Sequence, residues 1–548
     1  MIILFACSLI FVFVFECFCN SFVFDFSKDD EVISNPREQE CSDDELEVVN
    51  NDEQGVMVSR NGIEIWERRY IFNAERQHRQ HDILREEAGP TRQALQNGCG
   101  DSPSRAFKVF CGLDIVAIIV QNTNTEGRLH NANWVLTNSD ELYRFFGLLL
   151  LAGVYRAKSE AITQLWNEQH GRPIFNKTMS RNRFCELRRH LRFDDRGTRE
   201  ERRRDDKLAP IRNVIDIFAT KCRSSYKPGA VVTVDEQLVT FRGRCPFKMF
   251  IPSKPGKYGM KLWVAADAGN SYCVNLQVYT GRRGSEREVG QGTRVVLELT
   301  EHLTNTGRHV VGDNFFTNIV LVRALLARRL TYLGTVRKNK GELPMQMLPT
   351  RQRQVLSSTF GFQRDCTIVS YVPKPGKAVV LMSSLYHDDL CEEDVPYKPH
   401  MILEYNSQKG GVDTLDQNVR CYSSKRKTNR WPFALFCNLL DIGAYNAFVL
   451  YTAVHPNFAN RVSHRRRMFL LQLATELVKV DNPPMLPNPG GPIRPNQKRR
   501  CHLCPRQNDR KSSQQCDICY QAVCFEHSIR RCNKCQKNFS YSCHCFIN

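Results

Sequence analysis

Four aspartates lie where carboxylates from distant parts of the chain can meet. Asp267 closes the apolar run Met260-Lys-Leu-Trp-Val-Ala-Ala-Asp267, and Asp313 closes His309-Val-Val-Gly-Asp313. Asp413 and Asp416 fall in Gly410-Gly-Val-Asp-Thr-Leu-Asp-Gln417, three residues apart and so on one face of a helix. Acids gathered at close range cannot all stay ionised without a cation between them. Hard oxygen ligands of this kind suit Mg²⁺ or Mn²⁺. The expected chemistry is two-metal phosphoryl transfer.

A second ligand set closes the chain. Cys501-x2-Cys504, Cys516-x2-Cys519, Cys524-x2-His527 and Cys532-x2-Cys535 make eight thiolate and imidazole ligands, enough for two tetrahedral Zn²⁺ sites. A module of about 35 residues is too small to fold on an apolar core alone, so zinc would supply its stability. Spacing leaves two pairings open, sequential or crossed.

The elements that must position the aspartates change character along the chain. From Ser104 to about Gly259 the pattern is helical, with apolar candidates at 113–120 and 141–151. Ser180-Arg-Asn-Arg-Phe-Cys-Glu-Leu-Arg-Arg-His-Leu-Arg192 carries apolar residues at 184, 187 and 191, basic residues around them, and Ser180 as N-cap. Strands are then expected at 260–267 and 272–279, turning at Gly269-Asn270, followed by helix 291–303, strand 308–312, helix 317–329 and strand 331–336. This β-β-α-β-α-β order describes a mixed sheet flanked by helices. Residues 339–399, rich in turns and short strands, read as an inserted subdomain. Helices are expected over 434–454 and 464–480, and the Pro-rich stretch 481–496 as a linker.

The 548 residues carry a formal charge of +19, which points to a polyanionic partner, nucleic acid first. Cysteines scattered singly outside 501–535 fit a reducing compartment. Residues 27–105 are polar, with an acidic cluster at 43–47, and read as a disordered arm. Ile2–Phe15 has the length of a signal-peptide apolar region but lacks a basic start. It is read as a neutral extension or a mistaken gene start, with the nucleus as the expected location and no membrane partner.

Val234-Asp-Glu-Gln, Phe241-Arg-Gly-Arg-Cys-Pro-Phe247, Lys254-Pro-Gly-Lys-Tyr-Gly259, Asp313-Asn-Phe-Phe-Thr317, Gly334-Thr-Val-Arg337, Lys409-Gly-Gly-Val-Asp-Thr-Leu-Asp-Gln417 and Lys427-Thr-Asn-Arg-Trp-Pro432 together resemble the piggyBac transposases. The resemblance runs from about Ser104 to Cys535. It implies an α/β fold: an RNase H-like catalytic domain with a DDD triad (260–338 and 400–422), interrupted by the insertion (339–399). Around it would lie a mostly helical DNA-binding and dimerisation region (104–259 and 423–480). Residues 1–103, the apolar segment and acidic arm, would precede these regions, and a basic linker (481–500) and a cross-brace zinc module (501–540) would follow them.

Carried over by motif, the triad is Asp267, Asp313 and Asp413, with Asp416 as a fourth acid. Asp267 would bridge two Mg²⁺ or Mn²⁺ ions, and Asp313 and Asp413 would each complete one shell. The implied activity is cut-and-paste DNA transposition at TTAA sites by a homodimer holding two transposon ends. Arg337, Lys340, Lys425, Arg426, Lys427 and Arg430 fall where DNA contacts are expected, with Trp431 stacking on an exposed base or buried under a helix start. The cross-brace would pair Cys501/Cys504 with Cys524/His527, and Cys516/Cys519 with Cys532/Cys535. Gly312 before Asp313, and Ala266 and Ala268 around Asp267, depart from the family pattern. Two alternatives stand beside the active enzyme: a domesticated, catalytically silent DNA-binding protein, and a RING-type ubiquitin ligase, against which the attached DDD domain argues.

Overall fold

The computed structural model describes residues 55–70, 86–252, 254–281, 288–392 and 397–478, with four short C-terminal stretches at 498–501, 504–508, 510–514 and 524–527. The apolar N-terminus, the acidic cluster and nearly all of the linker lie outside the described residues.

Eleven strands form one mixed sheet. In chain order they are β1 (Val56–Val58), β2 (Ile65–Glu67), β3 (Val231–Thr240), β4 (Met249–Phe250), β5 (Tyr258–Asp267), β6 (Cys273–Val278), β7 (His309–Gly312), β8 (Thr331–Thr335), β9 (Ser358–Phe362), β10 (Thr367–Lys374) and β11 (Lys377–Ser383). Across the sheet they run β1-β2-β9-β10-β11-β8-β7-β3-β5-β4, with β6 also paired to β5. β3, β5 and β6 are antiparallel neighbours, and β7 lies parallel to both β3 and β8. This mixed α/β arrangement is consistent with an RNase H-like domain.

The sheet starts earlier than the sequence suggested. β3 falls inside the stretch assigned to helices, and it is the strand on which the parallel and antiparallel halves meet. Its β-branched residues suit a buried strand, and Val232 and Val234 are fully buried. Its register is fixed on both sides: Asp235 lies opposite Val264 of β5, and Val234 opposite Gly312 of β7. The arm assigned to disorder is also built into the fold over residues 55–70, because β1 and β2 form a hairpin whose β2 joins β9 through Phe362–Glu67. Much of the expected insertion extends the same sheet, since β11 pairs antiparallel with β8 and carries β10 and β9 outward.

Among the described residues the helices of eight residues or more are α1 (Pro103–Phe110), α2 (Leu113–His130), α3 (Ser139–Val154), α4 (Arg181–His190), α5 (Arg212–Ser225), α6 (Gln291–Leu299), α7 (Ile319–Ala327), α8 (His400–Gln408), α9 (Gly411–Cys421), α10 (Trp431–Val454) and α11 (Arg465–Val478). Local chemistry sets their starts. Asn138 caps α3 by accepting from Glu141 N at 2.9 Å, and Ser180 caps α4 by accepting from Arg183 N at 3.2 Å. Phe184, Leu187 and Leu191 are buried, as their spacing predicted. The 24 residues of α10 are apolar enough to cross a membrane, yet 94% of its most apolar window is buried inside the protein. It is therefore a core helix, and its polar residues are paired: Asn438 donates to Gln237 at 2.9 Å and Asn446 to the Cys273 carbonyl at 3.0 Å.

Two of these elements place the acids. α8 leads into α9, which crosses β3 and is held where Thr233 Oγ1 donates to the Gln408 carbonyl at 2.9 Å and Gln237 Nε2 donates to Asp416 at 3.1 Å. Gly411 permits this approach, because a Cβ there would stand 2.8 Å from Thr233 Oγ1.

Candidate active site and nucleic-acid interface

Asp313 follows β7, and by the parallel register its neighbour on β3 is Asp235. Asp413 opens α9, which crosses β3 at the same level, and its side chain is 69% exposed. The carboxylates feel one another. Burial, then the charges of Asp313 and Asp413, push the Asp235 carboxyl up to about 7. Burial raises Asp313, and Glu236 adds to it. Burial also raises Asp416, which Gln237 and Arg420 partly offset. Lys254 enters the cluster from the loop between β4 and β5, with Nζ 3.8 Å from Asp413 Oδ1. Burial pulls its ammonium down, but Asp235, Asp413, Glu236 and Asp416 together push it above the usual lysine value.

Asp267 is not in this group. It lies opposite Val232, three positions along β3 from Asp235 and roughly 10 Å along the strand, with β3 between it and β7. Its carboxylate accepts from Gly229 N and Gly269 N, each at 2.7 Å, and from Asn270 N at 3.3 Å. Those contacts organise the β5–β6 turn and tie it to the entry of β3, the work of an Asx-turn residue. The strand-end position that suggested a ligand reflects a turn. The signal for Asp235 was present in the sequence: an acid in the middle of Val231-Val-Thr-Val-Asp-Glu-Gln-Leu-Val-Thr240, where burial is costly unless a cation compensates. Gly312 also finds its reason, because a Cβ there would stand 2.5 Å from the Tyr332 hydroxyl, which pairs with Thr317 Oγ1 at 2.9 Å.

The expected DNA contacts divide into exposed and structural. Arg337 is exposed, donates to Asn314 Oδ1 at 3.2 Å and lowers Asp313 somewhat by its charge. Lys340 is half-buried nearby and Lys427 is exposed. The other three cations hold backbone carbonyls. Lys425 donates to the Thr240 carbonyl and hydroxyl, and burial pulls it down to about 8. Arg426, buried, donates to the Ala157 and Glu160 carbonyls. Arg430 donates to the carbonyls of Arg188, Arg189 and Leu191, closing the C-terminus of α4. Burial, then Arg192, pulls it down to about 9. Trp431 is half-buried against Phe247, with ring centroids 5.0 Å apart.

Two exposed aromatics lie instead on the β4–β5 ribbon. Phe250 and Tyr258 are 50% and 41% exposed, with ring centroids 4.8 Å apart. Arg242, Arg244, Lys248 and Lys257 are exposed around them, and no acid occurs between Phe241 and Gly259. The same ribbon carries Lys254 into the acid cluster.

Residues 102–448 match the family model described as Transposase IS4. A piggyBac transposase, solved by cryo-EM as a synaptic complex with hairpin DNA, is similar with a TM-score of 0.67 and 35% identity, covering 82% of this chain and 100% of that one. The chain is a piggyBac-type transposase family member. Among curated human proteins, PiggyBac transposable element-derived protein 3 is 25% identical over 468 residues, which span 81% of this chain and 73% of that protein. PiggyBac transposable element-derived protein 2 is 21% identical over 368 residues, 64% of this chain and 61% of its own length.

In this piggyBac-type chain, Cys501, Cys504 and Cys524 place their sulfurs within 4.8 Å of one another, with Cys504 and Cys524 Sγ 3.6 Å apart. Tetrahedral Zn–S bonds of about 2.3 Å require sulfurs at about that separation. Cys524 joining the 501/504 pair is the crossed arrangement, because sequential pairing would bring Cys516 and Cys519 there. Cys516, Cys519, Cys532 and Cys535, and the His527 side chain, lie outside the described residues.

Proposed function

We propose that this chain is a DNA transposase that cuts and rejoins strands by metal-dependent phosphoryl transfer, with Asp235, Asp313 and Asp413 as its acidic triad. The observation that carries the reading is Asp235, half-buried in the sheet with its carboxyl pushed up to about 7 by burial and by the other two acids. Such a site is incomplete without cations. The donors are all oxygen and hard, which fits Mg²⁺ or Mn²⁺. Divalent ions, when bound, supply activation of the attacking water or 3′-hydroxyl and neutralise the leaving oxygen.

The chain's own residues do the rest. Asp235 and Asp313, fixed on neighbouring parallel strands, hold the ligand geometry on the rigid sheet, and Asp413 brings a third carboxylate on a helix start. Asp416, engaged by Gln237, steadies α9 against β3. Lys254 balances the acids and stands beside Asp413, where it can receive a phosphate oxygen. The ribbon cations and Arg337, Lys340 and Lys427 bind the DNA backbone, and Phe250 and Tyr258 offer faces to unpaired bases. The cysteine module holds two Zn²⁺ ions in a cross-brace and reads the transposon end. Two ends require two copies of the chain, hence a homodimer acting at TTAA sites in the nucleus.

Purified protein incubated with transposon-end DNA and Mg²⁺ should nick and join strands, and Asp235→Asn should bind the same DNA without cutting. Cutting by Asp235→Asn at the wild-type rate would remove this assignment. The second reading, a domesticated protein that binds DNA without chemistry, is motivated by the human relatives' names as transposable element-derived proteins. Binding without cutting by the wild type would favour it.

A further inference from the structure

The hairpin of β1 and β2 lies more than 270 residues in sequence from the loop it touches. Its pattern is that of a half-buried ribbon: Met57 and Trp66 pair and are buried, whereas Val58 and Ile65 pair and are exposed. Ser59-Arg-Asn-Gly62 makes the turn, with Gly62 at φ 71°. Glu64, buried beside it, anchors the hairpin through a bidentate pair with Arg323 at 2.8 and 2.9 Å.

The turn grips the segment Arg337-Lys-Asn-Lys-Gly-Glu-Leu343. Arg60 Nη2 donates to the Lys338 carbonyl at 2.7 Å and the Lys340 carbonyl at 2.6 Å. Asn61 N donates to the Gly341 carbonyl at 3.0 Å, Trp66 Nε1 to that of Glu342 at 3.3 Å, and Arg60 N to that of Leu343 at 3.3 Å. The loop thus has five carbonyls bound by one hairpin. Within the loop, Arg337, Lys338 and Lys340 repel one another, and a cationic loop held only at its ends would splay. Fixing the carbonyls fixes the backbone from which these cations project, next to Asp313.

We infer that Arg60 is a positioning residue for the cationic loop Arg337–Lys340. It orients, without touching substrate, the charges that bind the phosphate backbone entering the acid site. Arg60 adds a fourth positive charge to a basic segment, so its placement is electrostatically unfavourable unless the Lys338, Lys340 and Leu343 carbonyls bind its guanidinium. The role in DNA binding rests on the function proposed above; the brace itself does not.

The test is a double-mutant cycle on full-length protein with a fluorescent transposon-end duplex. Arg60→Ala should weaken binding about three- to tenfold in the wild-type loop and have no further effect once Arg337→Ala and Lys340→Ala are present. Arg60→Lys, able to reach one carbonyl, should restore part of the affinity and serves if Arg60→Ala folds poorly. Equal losses in both backgrounds, or no loss in the first, would overturn the inference. Amide hydrogen exchange over 338–343 separates the two readings. If the wild type binds no DNA, the function falls, while faster exchange in Arg60→Ala still supports the brace and unchanged exchange refutes it.

Discussion

Replacing Asp235 by Asn tests whether the acid cluster is built around a missing positive charge. In the metal-free protein the Asp235 carboxyl is raised from 3.8 to about 7 by burial and by Asp313 and Asp413. A carboxyl with a raised folded value stabilises the fold while protonated and loses that contribution as pH climbs from about 4 through about 7. The difference corresponds to about 4 kcal/mol, reduced to about 2–4 kcal/mol by solvent reaching a half-buried side chain. Metal-free wild-type protein should therefore lose thermal stability between about pH 4 and about pH 7, by a few °C for a chain of this size. Asp235→Asn should flatten that slope and be the more stable protein at pH 8, while losing most of the stabilisation that Mg²⁺ or Mn²⁺ gives the wild type. Differential scanning calorimetry with chelator, then with a metal titration, reads both effects. The control is Asp267→Asn, which weakens three backbone hydrogen bonds and should cost about 1–3 kcal/mol at every pH with metal stabilisation intact. If Asp235→Asn keeps the wild-type slope and metal response, and Asp267→Asn loses them, the triad assigned here is wrong.

Lys254→Met removes the cation beside Asp235 and Asp413, so the Asp235 carboxyl should rise further, and the acid limb of the pH–rate profile for DNA cleavage should move to higher pH. Arg430→Ala removes a donor from the Arg188, Arg189 and Leu191 carbonyls, of which Arg192 still reaches the last two, and should cost about 1–3 kcal/mol in denaturant unfolding, whereas Lys427→Ala should change stability by less than about 0.5 kcal/mol and flatten the salt dependence of DNA binding. Cys501→Ser and Cys524→Ser should each lower bound zinc from two ions towards one, with no further loss in the double variant, read by metal analysis of dialysed protein. Separate, additive zinc losses would place those cysteines in different sites.

Much of the fold was legible because it rests on local signals. Apolar period, caps and turn residues located α3, α4, α6, α7, α10, β7 and β8 to within a few residues, and metal-ligand spacing marked Cys501, Cys504 and Cys524, whose sulfurs lie together. Two kinds of feature were not local. β3 carries acids and Gln among its β-branched residues, so its periodicity is mixed, and only its pairing with β5 and β7 reveals a central strand. The β1–β2 hairpin has too few apolar residues to bury a core of its own, and becomes ordered by joining a sheet whose other strands lie hundreds of residues away.

The site divides in the same way. The sequence by itself determined that several acids, two clusters of cations and eight zinc-type ligands exist, because residue type and spacing are written in it. Which acids share a site is a matter of register. Asp267 and Asp235 look alike as strand carboxylates, but one accepts three backbone N–H groups at a turn and the other faces Asp313 and Asp413. Likewise Lys425, Arg426 and Arg430 look like a DNA-binding patch in sequence, and only packing shows that they satisfy carbonyls at a helix end and loop junctions. A charge acts on whatever lies nearest in space, and for a chain of this length the tertiary structure decides what that is.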